Sequence, residues 1–198
     1  ILVKVSGRLD ALAAAHRERH GRDLHFVLLS DHGNTERKVY FRRGIHERLS
    51  DAGLRVRDKI AGPEDVVAPT YGVVSFGVLF TAPSNAETAA RAVIDHEGVD
   101  LAAWIVEPGT LRVISDEGEA LVSWRDRDGR RRLAYEDLGE DPLKLGDAVA
   151  GLRRGKQVDA DGFATEESWF EHSARGEYPD APRRLVDSLT GTWVRNTA

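Results

Sequence analysis

The sequence predicts an α/β protein, and three observations carry that prediction. Helix-patterned stretches alternate with short apolar runs of strand length, glycine falls where each helical pattern ends, and after Pro108 three alternating segments follow one another across Gly-bearing turns. The 198 residues, 41% of them hydrophobic, can bury one sizeable core, or one core with a small satellite, without covalent staples.

Taken in order, Leu9, Leu12, Ala13 and His16 share one helical face behind a short apolar start at Ile1–Val5, and Gly21 stops that helix. Leu24–Leu29 is almost wholly apolar between polar flanks, the pattern of a strand buried on both faces of a parallel sheet. It runs into Ser30-Asp31-His32-Gly33-Asn34-Thr35, and a polar loop at the carboxyl end of a buried strand is where open α/β sheets bind ligands. A second helix is expected over Gly44–Ala52, closed by Gly53, and Leu54–Ile60 alternates like a half-exposed strand. Gly62–Thr70, with Pro63 and Pro69, reads as a loop, Tyr71–Thr81 as one long or two short strands, Ala86–Asp95 as a helix stopped by Gly98, and Val99–Val106 as a strand. Thr110–Ser115, Ala120–Arg125 and Arg131–Tyr135 are then antiparallel strands, joined by turns at Asp116-Glu117-Gly118 and Asp126-Arg127-Asp128-Gly129. The last third is helical, over Leu145–Arg153, Glu166–Ala174 and Pro182–Leu189. No repeat, linker or low-complexity tract sets a boundary, so residues 1–198 are read as one α/β domain, in which Tyr71–Tyr135 can form a β-rich subdomain beside the first sheet.

Composition narrows the function. The charged fraction is 31%, but the signs nearly cancel to a net −5, so no broad electropositive surface points to a nucleic acid. The densest basic run, Arg130-Arg131-Arg132, lies beside Asp126 and Asp128 and reads as a solvated hairpin. The chain has no cysteine, which excludes a disulfide framework and thiolate metal sites and accords with a reducing, cytoplasmic compartment. Any metal must sit on His and carboxylate. No apolar run approaches the roughly 20 residues that span a bilayer, so no membrane partner is expected. The chain opens at Ile1 and has no methionine, from which a fragment of a longer protein is expected.

One constellation carries chemistry. Asp31 and His32 leave a buried strand side by side, where a fixed backbone can aim a carboxylate and an imidazole at one cation, and Gly33 lets the chain turn without a Cβ clash. Such donors suit zinc or manganese better than calcium or magnesium. The plainer reading is a polar loop in which Asp31 caps a turn and His32 lies on the surface. Taken with the Ala-rich helix in front of it, the stretch His25-Phe26-Val27-Leu28-Leu29-Ser30-Asp31-His32-Gly33-Asn34 resembles the strand and Ser-Asp-His-Gly element of the alkaline phosphatase superfamily. Val99–Glu119 and Tyr178–Leu189 are similar to stretches that follow this element in phosphodiesterase-like and phosphomutase-like members.

The resemblance implies an alkaline-phosphatase-like sheet with flanking helices, here as a fragment with an added antiparallel β-rich portion. It implies that Asp31 and His32 are adjacent ligands of one ion in a site holding two divalent metal ions, zinc or alternatively manganese. Members carry a Ser or Thr nucleophile and a further Asp upstream, an Asp-x-x-x-His shortly before the element, and a last His downstream. None of these can be placed in this chain, so the nucleophile and remaining ligands are expected outside it and the fragment alone is expected to be inactive. The implied activity of the full-length protein is metal-dependent hydrolysis of a small phosphomonoester or phosphodiester. A sulfatase of the same superfamily is one alternative. A noncatalytic α/β binding domain is another, and a plain interaction domain with a chance Asp-His-Gly a third.

The remaining candidates have ordinary explanations. Ser30 lacks the Gly-x-Ser-x-Gly setting of a nucleophile, and Asn34 and Thr35 are common turn residues. His16 and His20 lie on a charged helix, His25 starts a strand, His46 reads as surface, and His96 ends a helix. His172 is the one residue of this chain that could serve as a distant third ligand. Trp104, Trp124, Trp169 and Trp193 fall on separate elements and read as packing residues.

Overall fold

A computed structural model of the chain describes residues 2–24, 26, 43–69 and 76–191. It divides into two compact units, residues 1–38 and 39–198. In the first, one helix is described, α1 (Leu2–His20), so helical structure already takes in the apolar start at Leu2–Val5. Arg17, Arg19 and His20 fill its last turn, where the helix dipole favours cations, and Gly21 ends it at φ 65°. The Arg17 Nε donates to Asp23 Oδ1 at 2.7 Å just beyond the end.

The second unit is a mixture of helices and two sheets. A three-stranded sheet runs β1 (Arg55–Val56), β2 (Asp65–Val67), β3 (Phe80–Thr81), with β1 and β2 parallel and β2 and β3 antiparallel. The helix α2 (Arg43–Asp51) precedes it and ends at Gly53, where φ is 82°. After β3 a 3-10 turn at Pro83–Asn85 leads into α3 (Ala86–Ile94). Leu49, Leu54, Val66, Ala89 and Val93 bury together where α2 and α3 cover this sheet.

The second sheet has five antiparallel strands in chain order: β4 (Ala102–Glu107), β5 (Thr110–Ile114), β6 (Glu119–Arg127), β7 (Arg130–Asp137) and β8 (Ala164–Thr165). Between β6 and β7, Asp128 and Gly129 both take positive φ, 55° and 71°, the geometry of a tight hairpin turn whose twist matches its strands. On one face lie α4 (Gly146–Arg154), α5 (Glu166–Ser173) and α6 (Ala181–Thr190). Alternate residues of the strands, Leu111 and Val113, Ala120 and Val122, Leu133 and Tyr135, meet Leu152, Trp169 and Val186 of those helices in the main core. Trp169 is fully buried there, and its indole N–H donates to the Leu133 carbonyl at 2.9 Å, so its one polar atom keeps a partner.

Local chemistry explains the helix starts. Asp141 accepts from the Tyr135 hydroxyl and from the backbone N–H groups of Leu143 and Gly146, at 3.1 and 2.8 Å, which ties the end of β7 to the entrance of α4. Burial and the Asp141 carboxylate both push the Tyr135 phenol up, so it stays protonated and donating. Thr165 caps α5 by accepting from the Ser168 N–H at 3.2 Å, with Glu166 and Glu167 in the first turn. Pro182 lies in the first turn of α6.

Several elements depart from the sequence reading. The strand expected over Leu54–Ile60 is only two residues long, and the stretch read as a loop at Gly62–Thr70 contains β2. Both follow from Asp65, whose Oδ2 accepts from the N–H groups of Ala61 and Gly62 at 2.9 and 2.7 Å and turns the chain back before β2. The helix α3 ends at Ile94, ahead of Gly98, which serves the following turn at φ 97°. Residues 71–75 and most of Leu24–Leu29, both expected as strand, lie outside the described residues, and of the described part of Tyr71–Thr81 only Phe80–Thr81 is strand. No helix among the described residues is long and apolar enough to cross a membrane.

Candidate functional site

Asp31 and His32, the expected metal ligands, lie outside the described residues, as do Ser30, Asn34 and Thr35 of the same element and His25 in front of it. Among the described residues, no group of three or more His, Asp or Glu could hold a metal ion.

Apart from the neighbours His16 and His20, the described histidines lie on separate elements. His16 and His20 lie one helical turn apart on α1, with tilted rings whose centroids are 4.6 Å apart. His46 is half-buried on α2. His96 packs against Gly44, where a Cβ would lie 2.4 Å from its Nε2, so the start of α2 leaves room for the ring. His172, the candidate third ligand, has its Nε2 2.6 Å from the Gln157 Oε1 and its ring against Gly151 of α4. That partner and that packing give the imidazole a structural occupation on the helical layer.

Two clefts carry charge. The first, about 430 Å³, opens beside the loop between β1 and β2 and is lined by Arg55, Arg57, Asp58, Lys59 and Asp65. Asp65 is buried, and the Ala61 N–H foremost, then Gly62 and the Arg55 guanidinium, hold its carboxyl below the usual range against the cost of burial. Arg55 is engaged by Asp65 at 3.1 Å and Glu64 at 2.9 Å, so the carboxylates offset much of the cationic lining. The second, about 400 Å³, gathers Asp95, Asp116, Glu117 and Glu177 around Lys144, which pairs with Glu117.

A third charged group links α3 to the second sheet. Arg91 donates to Glu87 at 2.8 Å and to Glu119 at 2.7 Å, and Arg112 reaches Glu119 at 3.2 Å. Both guanidinium groups lie about 6 Å from the ring of buried Trp104. Arg91 above all holds the Glu119 carboxyl below its usual range. Arg131, from the run read as a solvated hairpin, is partly buried and bridges Glu166 and Asp187. Its alternation with Leu133 and Tyr135, which puts it on the helix-covered face, was the available signal.

Arg55, Lys144, Arg91, Arg112 and Arg131 thus pair with carboxylates of the protein, and among the described residues these groups set no nucleophile beside a base. No protein-family model, curated protein or solved structure matches the chain. The motif at Asp31 and His32 therefore stands on its own residues.

Proposed function

We propose that this chain is part of a two-metal phosphohydrolase acting on a small phosphomonoester or phosphodiester, with Asp31 and His32 as adjacent ligands of one divalent ion. The observation that carries this reading is the run of apolar residues ending in Ser30-Asp31-His32-Gly33, which resembles the metal element of the alkaline phosphatase superfamily. The helix expected in front of that element is present as α1 and closes at Gly21. On this reading the α/β layers belong to an alkaline-phosphatase-like sheet, and the nucleophile, a Ser or Thr, lies outside the chain. A cytoplasmic setting goes with it, supported by the absence of cysteine.

The donor set fits the ions. An imidazole beside a carboxylate, with no thiolate in the chain, suits zinc, with manganese the alternative. When bound, a pair of such ions supplies Lewis-acid stabilisation to both ends of an in-line displacement at phosphorus. Asp31 contributes negative charge and His32 a nitrogen donor, and metal binding requires both to be deprotonated. Gly33 allows the chain to turn away behind them.

The test is metal analysis of the full-length protein together with hydrolysis of p-nitrophenyl phosphate, bis-p-nitrophenyl phosphate and p-nitrophenyl sulfate, wild type against Asp31→Ala. The expected result is loss of one bound ion and of nearly all phosphoester turnover with the fold intact. Unchanged turnover in the variant discards the assignment. Turnover of the sulfate ester alone supports the sulfatase, and bound metal without turnover supports a noncatalytic binding domain.

A further inference from the structure

The loop between α4 and β8 has the order of a calcium-binding turn. Asp159 and Asp161 stand two residues apart, Gly162 follows at φ 84°, the short strand Ala164–Thr165 comes next, and α5 begins at Glu166. In EF-hand loops, alternate carboxylates precede a glycine that makes the sharp turn, and oxygen ligands follow before the exit helix is under way. Here Asp159 Oδ1 accepts from the backbone N–H groups of Asp161 and Phe163, at 3.1 and 2.9 Å, which shapes the turn.

The place of the ion is taken. Arg125, on β6, donates from Nη2 to Asp159 Oδ2 at 2.8 Å and from Nη1 to Asp161 Oδ2 at 2.9 Å, so one guanidinium spans both carboxylates. The Phe163 ring lies 4.0 Å from the guanidinium carbon and covers it. Arg127, two residues along the same strand, brings a second cation to 3.8 Å from Asp159 Oδ2. Two arginines thus set the same double positive charge against the two carboxylates that a divalent ion would supply. Other oxygens that such a loop offers are engaged: the Phe163 carbonyl accepts the Asp159 N–H at 2.9 Å, and Thr165 Oγ1 caps α5.

We propose that the turn Asp159–Phe163 is a divalent-cation type of turn in which the Arg125 guanidinium permanently replaces the ion, latching β6 to the start of α5 without metal. This inference is independent of the reading of Asp31 and His32. It has a practical bearing on that reading: a chelator that strips the expected catalytic ions leaves this latch closed, so lost turnover is not unfolding of the helical layer.

The experiment compares thermal unfolding of wild type, Arg125→Gln and Arg125→Lys, each without added metal and with millimolar calcium, and with no chelator present, so that any ion at Asp31 and His32 stays in place. Wild type is expected to melt at the same temperature in both. Arg125→Gln is expected to melt lower by about 4 °C and to regain most of that with calcium, because its two carboxylates keep only Arg127, 3.8 Å from Asp159, as a counter-charge. Arg125→Lys, which keeps one cation, is expected to fall between them and to ignore calcium. A calcium-dependent wild type overturns the proposal, and so does an Arg125→Gln protein that melts normally or is untouched by calcium. Should Arg125→Gln fail to fold, adding Asp159→Asn and Asp161→Asn removes the repelling charges and is expected to restore folding; failure of that triple variant also overturns it.

Discussion

Alanine in place of Gly151 sets two effects of similar size against each other. Gly151 is buried in the middle of α4, where glycine costs roughly 0.8–1.0 kcal/mol relative to alanine through backbone entropy. A Cβ at this position would lie 2.5 Å from His172 Nδ1, and the three nearest atoms all belong to that ring. His172 is exposed and can swing outward, at the cost of its 2.6 Å contact with Gln157, worth about 1 kcal/mol. Gly151→Ala alone should therefore change stability by no more than about 0.5 kcal/mol. In a His172→Ala background the obstacle is gone, and the same substitution should stabilise by about 1 kcal/mol. Urea denaturation of the four proteins of this cycle measures the coupling directly. A coupling within error of zero would mean that the ring does not rest on Gly151, and would reopen the question of what His172 does.

Two further outcomes follow from capping and charge. Thr165→Ala should destabilise by about 1 kcal/mol, with Thr165→Ser close to wild type, because the lost group is the hydroxyl that caps α5; equal losses in both variants would refute the capping role. Glu119 has a lowered folded-state pKa, so its contribution is complete above the ordinary carboxyl value of 4.5 and is lost as pH falls through the folded value. Glu119→Gln should cost about 1 kcal/mol at neutral pH and flatten that acid limb in pH-dependent melting; an unaltered limb would assign the acid sensitivity elsewhere.

Legibility in the sequence tracked the range of the forces involved. Strands β5 to β7 and helices α4 to α6 were readable because each carries its own period: Leu111 and Val113, like Leu133 and Tyr135, alternate onto one buried face. The Asp128-Gly129 turn was readable because positive φ at two successive residues leaves few residue types. β2 was not, since its reversal depends on the Asp65 carboxylate holding the backbone of Ala61 and Gly62, while the flanking prolines read as a loop. The partners of Arg131, at Glu166 and Asp187, are distant in sequence and invisible to any local window. Of the candidate site, Asp31 and His32 rest on the motif alone, while His172 is shown with a structural partner.

The composition of α3 sets how closely the layers of the second unit can stack. Ala89 and Val93 bury with Leu49 and Val66, and on the other flank Ala90 meets Trp104 and Ile114. A helix with methyl groups on both flanks is nearly as thin a spacer as a polypeptide can make. Wedging a larger side chain in at residue 89 would press on the small sheet, and at residue 90 on the large one, so each layer's tolerance to strain can be probed separately from within a single helical turn.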